Sequence, residues 1–261
     1  MKSETRTEIR DQIIFIICFI GAWYLVNRLG LVSSLVFPSP GEIGNAFIKG
    51  FAEGELISYT LFSLKLIAKG LLIGIGLAFV LSSLAVISKH FFAIYNLIVS
   101  VFDLLPGVAL LPLVLSIFGV CETTIIIIVV HSIIWPMSRS LMDGFKAIPN
   151  IYIESGRNIG LKGFNLVRGV YLPAAFASVL SGLRVGWARA WRGLLAVEMI
   201  FGTTGTGAGI GWYIFMRRIN LDYSGLYAAL IVIIIIGIII EYGLFRSIER
   251  NTIRKWGMTA Q

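Results

Sequence analysis

The chain has 261 residues, of which 57% are hydrophobic and only 14% are charged, and its mean hydropathy is +0.88. A soluble domain of this length could not bury so many Ile, Leu and Phe side chains, so the composition predicts a polytopic helical membrane protein. The formal net charge of +8 is spread over the segments between apolar runs. Because it forms no basic patch with interleaved aromatics, we expect no nucleic-acid partner.

Cysteine and histidine are too few and too scattered to indicate a metal site. Cys18 and Cys121 lie in different apolar contexts without metal-ligand spacing, and the chain has only 2 His. We therefore expect two buried, unpaired thiols and no metal held by this chain.

The amino-terminal part predicts two membrane helices with a surface helix between them. Residues 13–29 are apolar, and no small-x-small cleavage site follows them, so we interpret them as a retained transmembrane helix rather than a signal peptide. Ser39 and Glu42 have capping-box spacing, with Pro40 at the first helical position. An apolar stripe follows, which predicts a short amphipathic helix on the membrane surface: Ile43, Ala46, Phe47 and Phe51.

Five further apolar segments complete a prediction of six spans. The second span covers residues 61–87, where Gly70 and Gly74 permit close helix packing. The third covers residues 94–118, and we expect Pro106 and Pro112 to kink it, an irregularity that is tolerated only beside a cavity. The remaining three spans are residues 123–142, 176–201 and 225–245.

The distribution of basic residues predicts that both termini are cytoplasmic. With the amino terminus inside, four basic residues lie outside, namely Arg28, Lys49, Arg217 and Arg218. Thirteen then lie inside: Lys2, Arg6, Arg10, Lys89, Arg139, Lys146, Arg157, Lys162, Arg168, Arg246, Arg250, Arg254 and Lys255. This excess follows the positive-inside bias of membrane proteins.

A polar interval at residues 147–173 lies between two apolar segments and would face the cytoplasm in this topology. It contains Glu154-Ser155-Gly156, then Gly160 six residues after the glutamate, then Val170 and the pair Leu172-Pro173. This spacing resembles the EAA loop of ABC-importer permeases, with Ser and Gly in place of the two alanines and Val in place of Ile. In that family the loop forms a coupling helix that enters a groove of the ATP-hydrolysing subunit.

The resemblance extends over about residues 36–215 and is similar to the taurine, sulfonate and nitrate-type branch of importer permeases. The matching segments are Phe37-Pro38-Ser39-Pro40, Leu105-Pro106 with Ala109-Leu110 and Pro112-Leu113, Phe118-Gly119 with Glu122, Ser181-Gly182-Leu183-Arg184, and Ala190-Trp191 with Ala196-Val197-Glu198-Met199. Asp103 matches no position of that branch.

The resemblance implies the transmembrane subunit of a bacterial importer in the plasma membrane. Its expected partners are two ABC ATPase subunits, a second permease copy forming a homodimer, an extracytoplasmic binding protein and membrane lipid. The chain has no nucleotide-binding motif, so ATP and Mg would be bound by the ATPase, and the implied mechanism is alternating access. The coupling residues would be Glu154, Ser155, Gly156, Gly160, Leu172 and Pro173.

Charged residues inside the fifth span allow two interpretations, a solute path or an internal ion-pair network. Arg184 and Arg192 lie about 80° apart around a helix, and Glu198 lies about 40° to the other side of Arg184. They could line a path for an anion, or form an internal ion-pair network with Asp103 or Glu241; Arg184 could also extend to the membrane surface. The path candidates are Asp103, Pro106, Arg184, Trp187, Trp191, Arg192 and Glu198.

Three alternatives remain open at this stage. The branch also handles uncharged vitamins and precursors, so the substrate need not be an anion. A secondary transporter would show inverted repeats and proton relays, and a membrane enzyme would show a catalytic constellation; the sequence shows neither.

The glycine-rich interval 202–211 lacks the lysine of a phosphate loop and predicts an extracellular re-entrant turn.

We divide the single transmembrane domain into three parts. Residues 1–56 carry the first helix and the surface helix, residues 57–247 form a five-helix core with the coupling loop 143–175, and residues 248–261 form a cytoplasmic tail.

Overall fold

A computed structural model describes residues 2–205 and 207–255, with side chains from Arg10 onward. Within those ranges every regular element is a helix. The helices are α1 (Lys2–Arg28), α2 (Pro40–Ala52), α3 (Glu55–Ile87), α4 (Lys89–Phe102), α5 (Leu111–Phe118), α6 (Glu122–Lys146), α7 (Asn150–Asn158), α8 (Gly163–Leu166), α9 (Leu172–Ala174), α10 (Phe176–Phe201), α11 (Ile210–Ile219), α12 (Tyr223–Ile238) and α13 (Arg246–Asn251). A 3₁₀ turn at Gly107–Leu110 and π-helical turns at Val167–Tyr171 and Ile239–Phe245 connect some of them.

Four helical segments in the described chain are long and apolar enough to cross a bilayer: Arg10–Arg28, Glu55–Ile87, Glu122–Lys146 and Tyr223–Asn251. Two further candidates are bent pairs, Lys89–Phe102 with Gly107–Phe118 and Gly163–Ala174 with Phe176–Phe201. Each segment covers one of the six predicted spans, and the count reaches six if each bent pair is one span. The predicted all-α membrane class is confirmed.

The third predicted span is broken rather than kinked. Its two halves meet at 90°, and the break includes Asp103 and Pro106. Pro106 precedes the 3₁₀ turn in an extended conformation, so the prediction of irregular backbone there is confirmed. The kink expected at Pro112 is wrong: Pro112 lies in the first turn of α5, where no intrahelical N–H bond is lost.

Three further details differ from the sequence prediction. Helix α11 follows the glycine-rich interval and was not anticipated. Part of the predicted tail is structured: α13 reaches Asn251, and Ile253 is buried against Leu180 and Phe245, whereas residues 256–261 lie outside the described range. Both thiols are free, as expected, but neither is buried within the chain: Cys18 is exposed on α1 and Cys121 is half-buried.

The chain divides into two compact units. One comprises the residues up to Tyr59 together with Tyr213–Ile234. Within it the Trp23 indole donates to the carbonyl of Pro38 at 2.9 Å and stacks on Phe37, which fixes the chain after α1. The other comprises Thr60–Trp212 with the chain from Ile235 onward, and α6 supplies much of its core: Ile133, Met137, Leu141 and Phe145 are all buried.

The predicted capping box at the start of α2 is present. The Ser39 hydroxyl accepts from the amide of Glu42, whose carboxylate accepts from the Ser39 amide at 2.7 Å. These donors hold the pKa of Glu42 below its usual range. The capping box therefore stabilises the folded protein at pH values above the ordinary carboxyl pKa. This stabilisation is lost as the pH falls through the lowered pKa of Glu42. The apolar stripe is partly covered: Ile43 is buried and Phe47 contacts Phe51.

Helices α3 and α6 approach closely at two glycines, as the sequence predicted. A Cβ on Gly70 would overlap Val129, and one on Gly74 would overlap Ile133. Small residues permit such backbone contact, on which helix association in lipid depends.

We expect Gly74→Ala to loosen the α3–α6 contact, because the added methyl group would displace the fully buried Ile133. Overpacking of this kind costs about 1–3 kcal/mol. Gly76→Ala is the matched control, since it adds the same methyl group to the same helix where nothing lies within 4 Å. The thermal midpoint of the purified protein in detergent should fall for Gly74→Ala only; equal midpoints would contradict this packing.

Candidate functional site

Helices α6 and α10 pack against each other through small residues on both sides. A Cβ on Gly182 would lie 2.6 Å from the Ser140 Cβ, and one on Gly186 would lie 2.5 Å from Ile133. From the other helix, a Cβ on Gly144 would lie 2.5 Å from the Ser178 Cβ. The two backbones therefore lie close together, and the polar side chains beside this contact project into two neighbouring cavities.

The first cavity lies where the break between α4 and the 3₁₀ turn meets α6 and α10. Its volume is about 370 Å³. Its apolar lining includes Phe102 and Pro106. Its polar lining comes from three segments: Asp103 from the break, His131, Ser132 and Trp135 from α6, and Arg189 and Arg192 from α10.

The second cavity, also of about 370 Å³, lies next to the first, towards the carboxyl end of α6. Its lining includes Arg139, Ser140 and Asp143 of α6 and Ser178 and Ser181 of α10. The two cavities share Asp103, Pro136 and Arg189, so these three residues form the partition between them.

Asp103 is held by two arginines from different helices. Its carboxylate accepts from Arg189 Nη1 at 2.5 Å and from Arg139 Nε at 3.2 Å. The Asp103 side chain is 13% exposed, whereas the two arginines are each 42% exposed. A nearly buried carboxylate needs such partners, because an unpaired charge at this depth is costly.

Arg192 has no carboxylate partner among the described residues. Its Nε donates to the carbonyl of Ala188 on its own helix at 2.9 Å, which leaves the rest of the guanidinium facing the first cavity. Arg189 and Arg192 therefore bring two positive charges to the first cavity against the single negative charge of Asp103.

Glu198 lies elsewhere, in a buried polar node defined by Ser63, Glu198, Ile210 and Gly211. Its carboxylate accepts from the Ser63 hydroxyl at 2.7 Å and from the Gly211 amide at 3.0 Å, and the Ile210 amide donates to the Ser63 oxygen. Glu198 is 1% exposed, and a Cβ on Gly209 would overlap its carboxyl group. The node joins α3, α10 and the amino terminus of α11.

Arg184 also lies apart from both cavities. It pairs with Glu249 at 2.8 Å and with Glu241 at 3.5 Å, and its guanidinium lies over the Phe245 ring. The expected shared face of Arg184, Arg192 and Glu198 is thus wrong, because the three side chains meet different neighbours. The alternative of internal ion pairs holds for Arg184 with Glu241, and for Asp103 with Arg189 rather than with Arg192.

The two tryptophans of α10 contact each other instead of a cavity. Trp187 and Trp191 stack with ring centroids 5.7 Å apart and planes 8° apart. Neither lines the first or the second cavity. Residues four apart lie on the same face of a helix, which permits this contact, and a role towards solute remains a prediction.

The polar loop forms a short helix followed by a sharp turn. Glu154, Ser155 and Gly156 lie in α7, with Glu154 exposed and Gly156 buried beneath Val170 and Leu166. Gly160 ends the helix at φ 89°, a left-handed conformation that favours glycine. Leu172 and Pro173 lie in α9, just before an 80° bend into α10. The loop therefore presents α7 as a separate surface helix.

The model of binding-protein-dependent transport system inner membrane components matches residues 70–254, which include both cavities and the loop. The chain belongs to this family. A protein named as an aliphatic sulfonates transport permease, SsuC of Bacillus subtilis, is 27% identical over 91% of this chain and 84% of its own length. The taurine transport system permease protein TauC of Escherichia coli is 27% identical over 88% of this chain and 83% of its own length. An ABC transporter permease protein of Methanocaldococcus jannaschii is 30% identical over 84% of this chain and 78% of its own length.

The chain is thus a multi-pass ABC-importer permease of the taurine and sulfonate branch, a transport subunit rather than an enzyme. Permeases of this family work with ATPase subunits and binding proteins. The sequence prediction of family and branch is confirmed.

Several residues of the permease cavities and of the polar node around Glu198 were not predicted. His131 and Trp135 lie four residues apart on α6 and contact each other edge to face, with ring centroids 5.7 Å apart. A polar aromatic pair at helical spacing beside Pro136 within an apolar span is a signal that could have indicated them. Arg139 was assigned only to the cytoplasmic side, and Ser63 is a single hydroxyl that no sequence pattern distinguishes.

We expect Arg192→Gln and Glu198→Gln to affect the stability of this permease independently, because they lie in separate environments. Their changes in unfolding free energy should add within about 0.5 kcal/mol. The matched pair is Ser63→Ala with Glu198→Gln. Their changes in unfolding free energy should not add, because these two side chains hydrogen-bond to each other. Thermal denaturation of the three single variants and the two double variants is the measurement; rescue of Arg192→Gln by Glu198→Gln would show that this placement is wrong.

Proposed function

We propose that this permease forms the translocation pathway for a small organic anion of the sulfonate class. The observation that carries the proposal is the first cavity, where Arg189 and Arg192 face one carboxylate. A guanidinium binds a sulfonate through charge-assisted hydrogen bonds, and the residual positive charge favours an anion over a neutral or cationic solute. The named transport of sulfonates and taurine by two relatives supports the same class.

The proposed assembly contains two copies of this chain, two ATPase subunits and an extracytoplasmic binding protein. ATP and Mg belong to the ATPase, and this chain contributes no nucleotide site. The positive-inside bias supports cytoplasmic termini and a cytoplasmic α7. The exposed Glu154 and the neighbouring Ser155 would then meet the ATPase, while Gly156, packed against Leu166, transmits the movement to the loop behind it.

Transport proceeds by alternating access in this proposal. ATP closes the ATPase dimer, the coupling helix α7 moves with it, and the cavities become open to the outside. ATP can shift this equilibrium only by its differential affinity for the two states, so the loop must differ between them. The bends at Ala175 and between Asp103 and Pro106 are the places where α10 and α4 can change direction without breaking a continuous helix.

Arg192→Gln should lower ATP-driven uptake of ethanesulfonate by the reconstituted complex about tenfold, the usual effect of losing one charged hydrogen bond. Arg218→Gln is the matched control, because it removes the same charge from an exposed residue of α11. Uptake into proteoliposomes containing ATP is the measurement. If wild-type complex accumulates no ethanesulfonate, or if both variants transport equally, the proposed substrate class is wrong.

Gly160→Leu should uncouple ATP hydrolysis from uptake, because a side chain in the left-handed region costs about 1–2 kcal/mol and alters the end of α7. Gly30→Leu is the control: Gly30 is also exposed, with φ 65° and open space around it, but lies outside the loop. The ratio of anion transported to ATP hydrolysed should fall for Gly160→Leu alone. A normal ratio in that variant would contradict the coupling role.

A further inference from the structure

The two cavities are related along the α6–α10 contact. His131 of the first cavity and Ser140 of the second are nine residues apart on α6, which corresponds to about 13 Å along the helix axis. The partition between the cavities is the Asp103–Arg189 ion pair together with Pro136. In the proposed topology the first cavity lies nearer the outside and the second nearer the cytoplasm.

Three guanidiniums follow one another through these cavities, and the Asp103 carboxylate is bonded to two of them. Arg192 lines the first cavity, Arg189 lines both, and Arg139 lines the second. Asp103 bonds Arg189 and Arg139 but has no described bond to Arg192. An anion held at Arg192 would therefore find the next guanidinium already occupied by Asp103.

The arginines lie within continuous helices, whereas the Asp103 carboxylate lies at a break between helices. Arg139 and Arg189 lie within the long helices α6 and α10, which pack directly on each other. Asp103 lies at the end of α4, where the chain breaks and turns by 90°. Such a break can move without disrupting a helix, so the carboxylate can separate from the arginines while they stay in place.

The first cavity also contains a polar side chain with unused hydrogen-bonding capacity. His131 is 9% exposed, and neither ring nitrogen has a hydrogen-bond partner among the described residues. A buried N–H without an acceptor is costly, and a sulfonate oxygen would supply that acceptor. This observation is independent of the arginines and indicates a polar ligand that can accept a hydrogen bond, a property that an oxyanion has.

We propose that the two cavities are successive binding sites for a small oxyanion, separated by the Asp103–Arg189 ion pair, which the anion opens by replacing Asp103 on Arg189. The proposal rests on the proposed function. The exchange conserves one ion pair at Arg189, so this guanidinium keeps a counter-charge while the anion passes, and Asp103 keeps its bond to Arg139. The second cavity has Arg139 and Arg189 against Asp103 and Asp143, so its charges balance and the anion is held less strongly there, which favours release.

Asp103→Asn removes the carboxylate that closes this partition and tests the proposal without ATP or binding protein. Proteoliposomes containing the assembled complex are loaded with labelled ethanesulfonate, and passive efflux is measured. We expect at least about a tenfold faster efflux than for wild type, the effect of losing a charged hydrogen bond. Asp103→Glu, which restores a carboxylate, should return efflux towards the wild-type rate.

Two controls separate an opened partition from a general leak. Asp222→Asn breaks a comparable ion pair, with Arg217 at 2.7 Å, that lines neither cavity, and it should not increase efflux. Labelled choline is a cation of similar size, and three arginines should keep its efflux at the wild-type rate in Asp103→Asn. Unchanged ethanesulfonate efflux, or an equal rise for choline or for Asp222→Asn, overturns the partition. Such a result would leave ATP-driven uptake by the wild-type complex intact, whereas failure of the proposed function would abolish that uptake.

Discussion

The direct contact of α6 with α10 is the interaction on which the site depends. Gly144, Gly182 and Gly186 allow the two backbones to approach until side-chain atoms of one helix meet backbone of the other. Because there is no hydrophobic driving force between helices in lipid, such close packing supplies much of their association. It also fixes Arg139 and Arg189 on opposite sides of one carboxylate. A wider separation of the helices would leave Asp103 able to reach only one of them.

Each arginine of α6 and α10 has a polar partner that makes its charge tolerable within an apolar helix. Placing a charged side chain in the hydrocarbon costs roughly 2.5–3.5 kcal/mol on insertion scales, unless a partner or a polar cavity receives it. Arg139 and Arg189 obtain a carboxylate, Arg192 obtains a backbone carbonyl and a cavity, and Arg184 obtains two glutamates on the carboxyl-terminal segment. Each solution uses a different neighbouring element.

The fold was largely predictable because its signals are local. Apolar runs indicated all six candidate spans, Pro106 indicated the break in the third, and Ser39 with Glu42 indicated the start of α2. The site was less predictable because a helical wheel gives a direction but not the neighbour found there. The helical wheel places Arg184 and Glu198 only about 40° apart, yet one meets the carboxyl-terminal glutamates and the other meets Ser63. Those partners are distant in sequence, and pairing over such distances depends on packing that no local pattern encodes.

The polar node around Glu198 has a consequence for the order in which the chain is made. Ser63 and Glu198 are 135 residues apart, so α3 leaves the ribosome long before its acidic partner is synthesised. Until then the Ser63 hydroxyl has neither the Glu198 carboxylate nor the Ile210 amide, whereas Glu198 is followed within thirteen residues by the amide of Gly211. When α10 enters the bilayer, the Ser63 hydroxyl of α3 is already present as a donor to the Glu198 carboxyl group. The amide of Gly211 at the start of α11 then supplies the second donor. During co-translational insertion the helix with the neutral Ser63 hydroxyl therefore enters the membrane before the helix with the acidic Glu198. In this order the carboxyl group spends the least time in lipid without a hydrogen-bond donor.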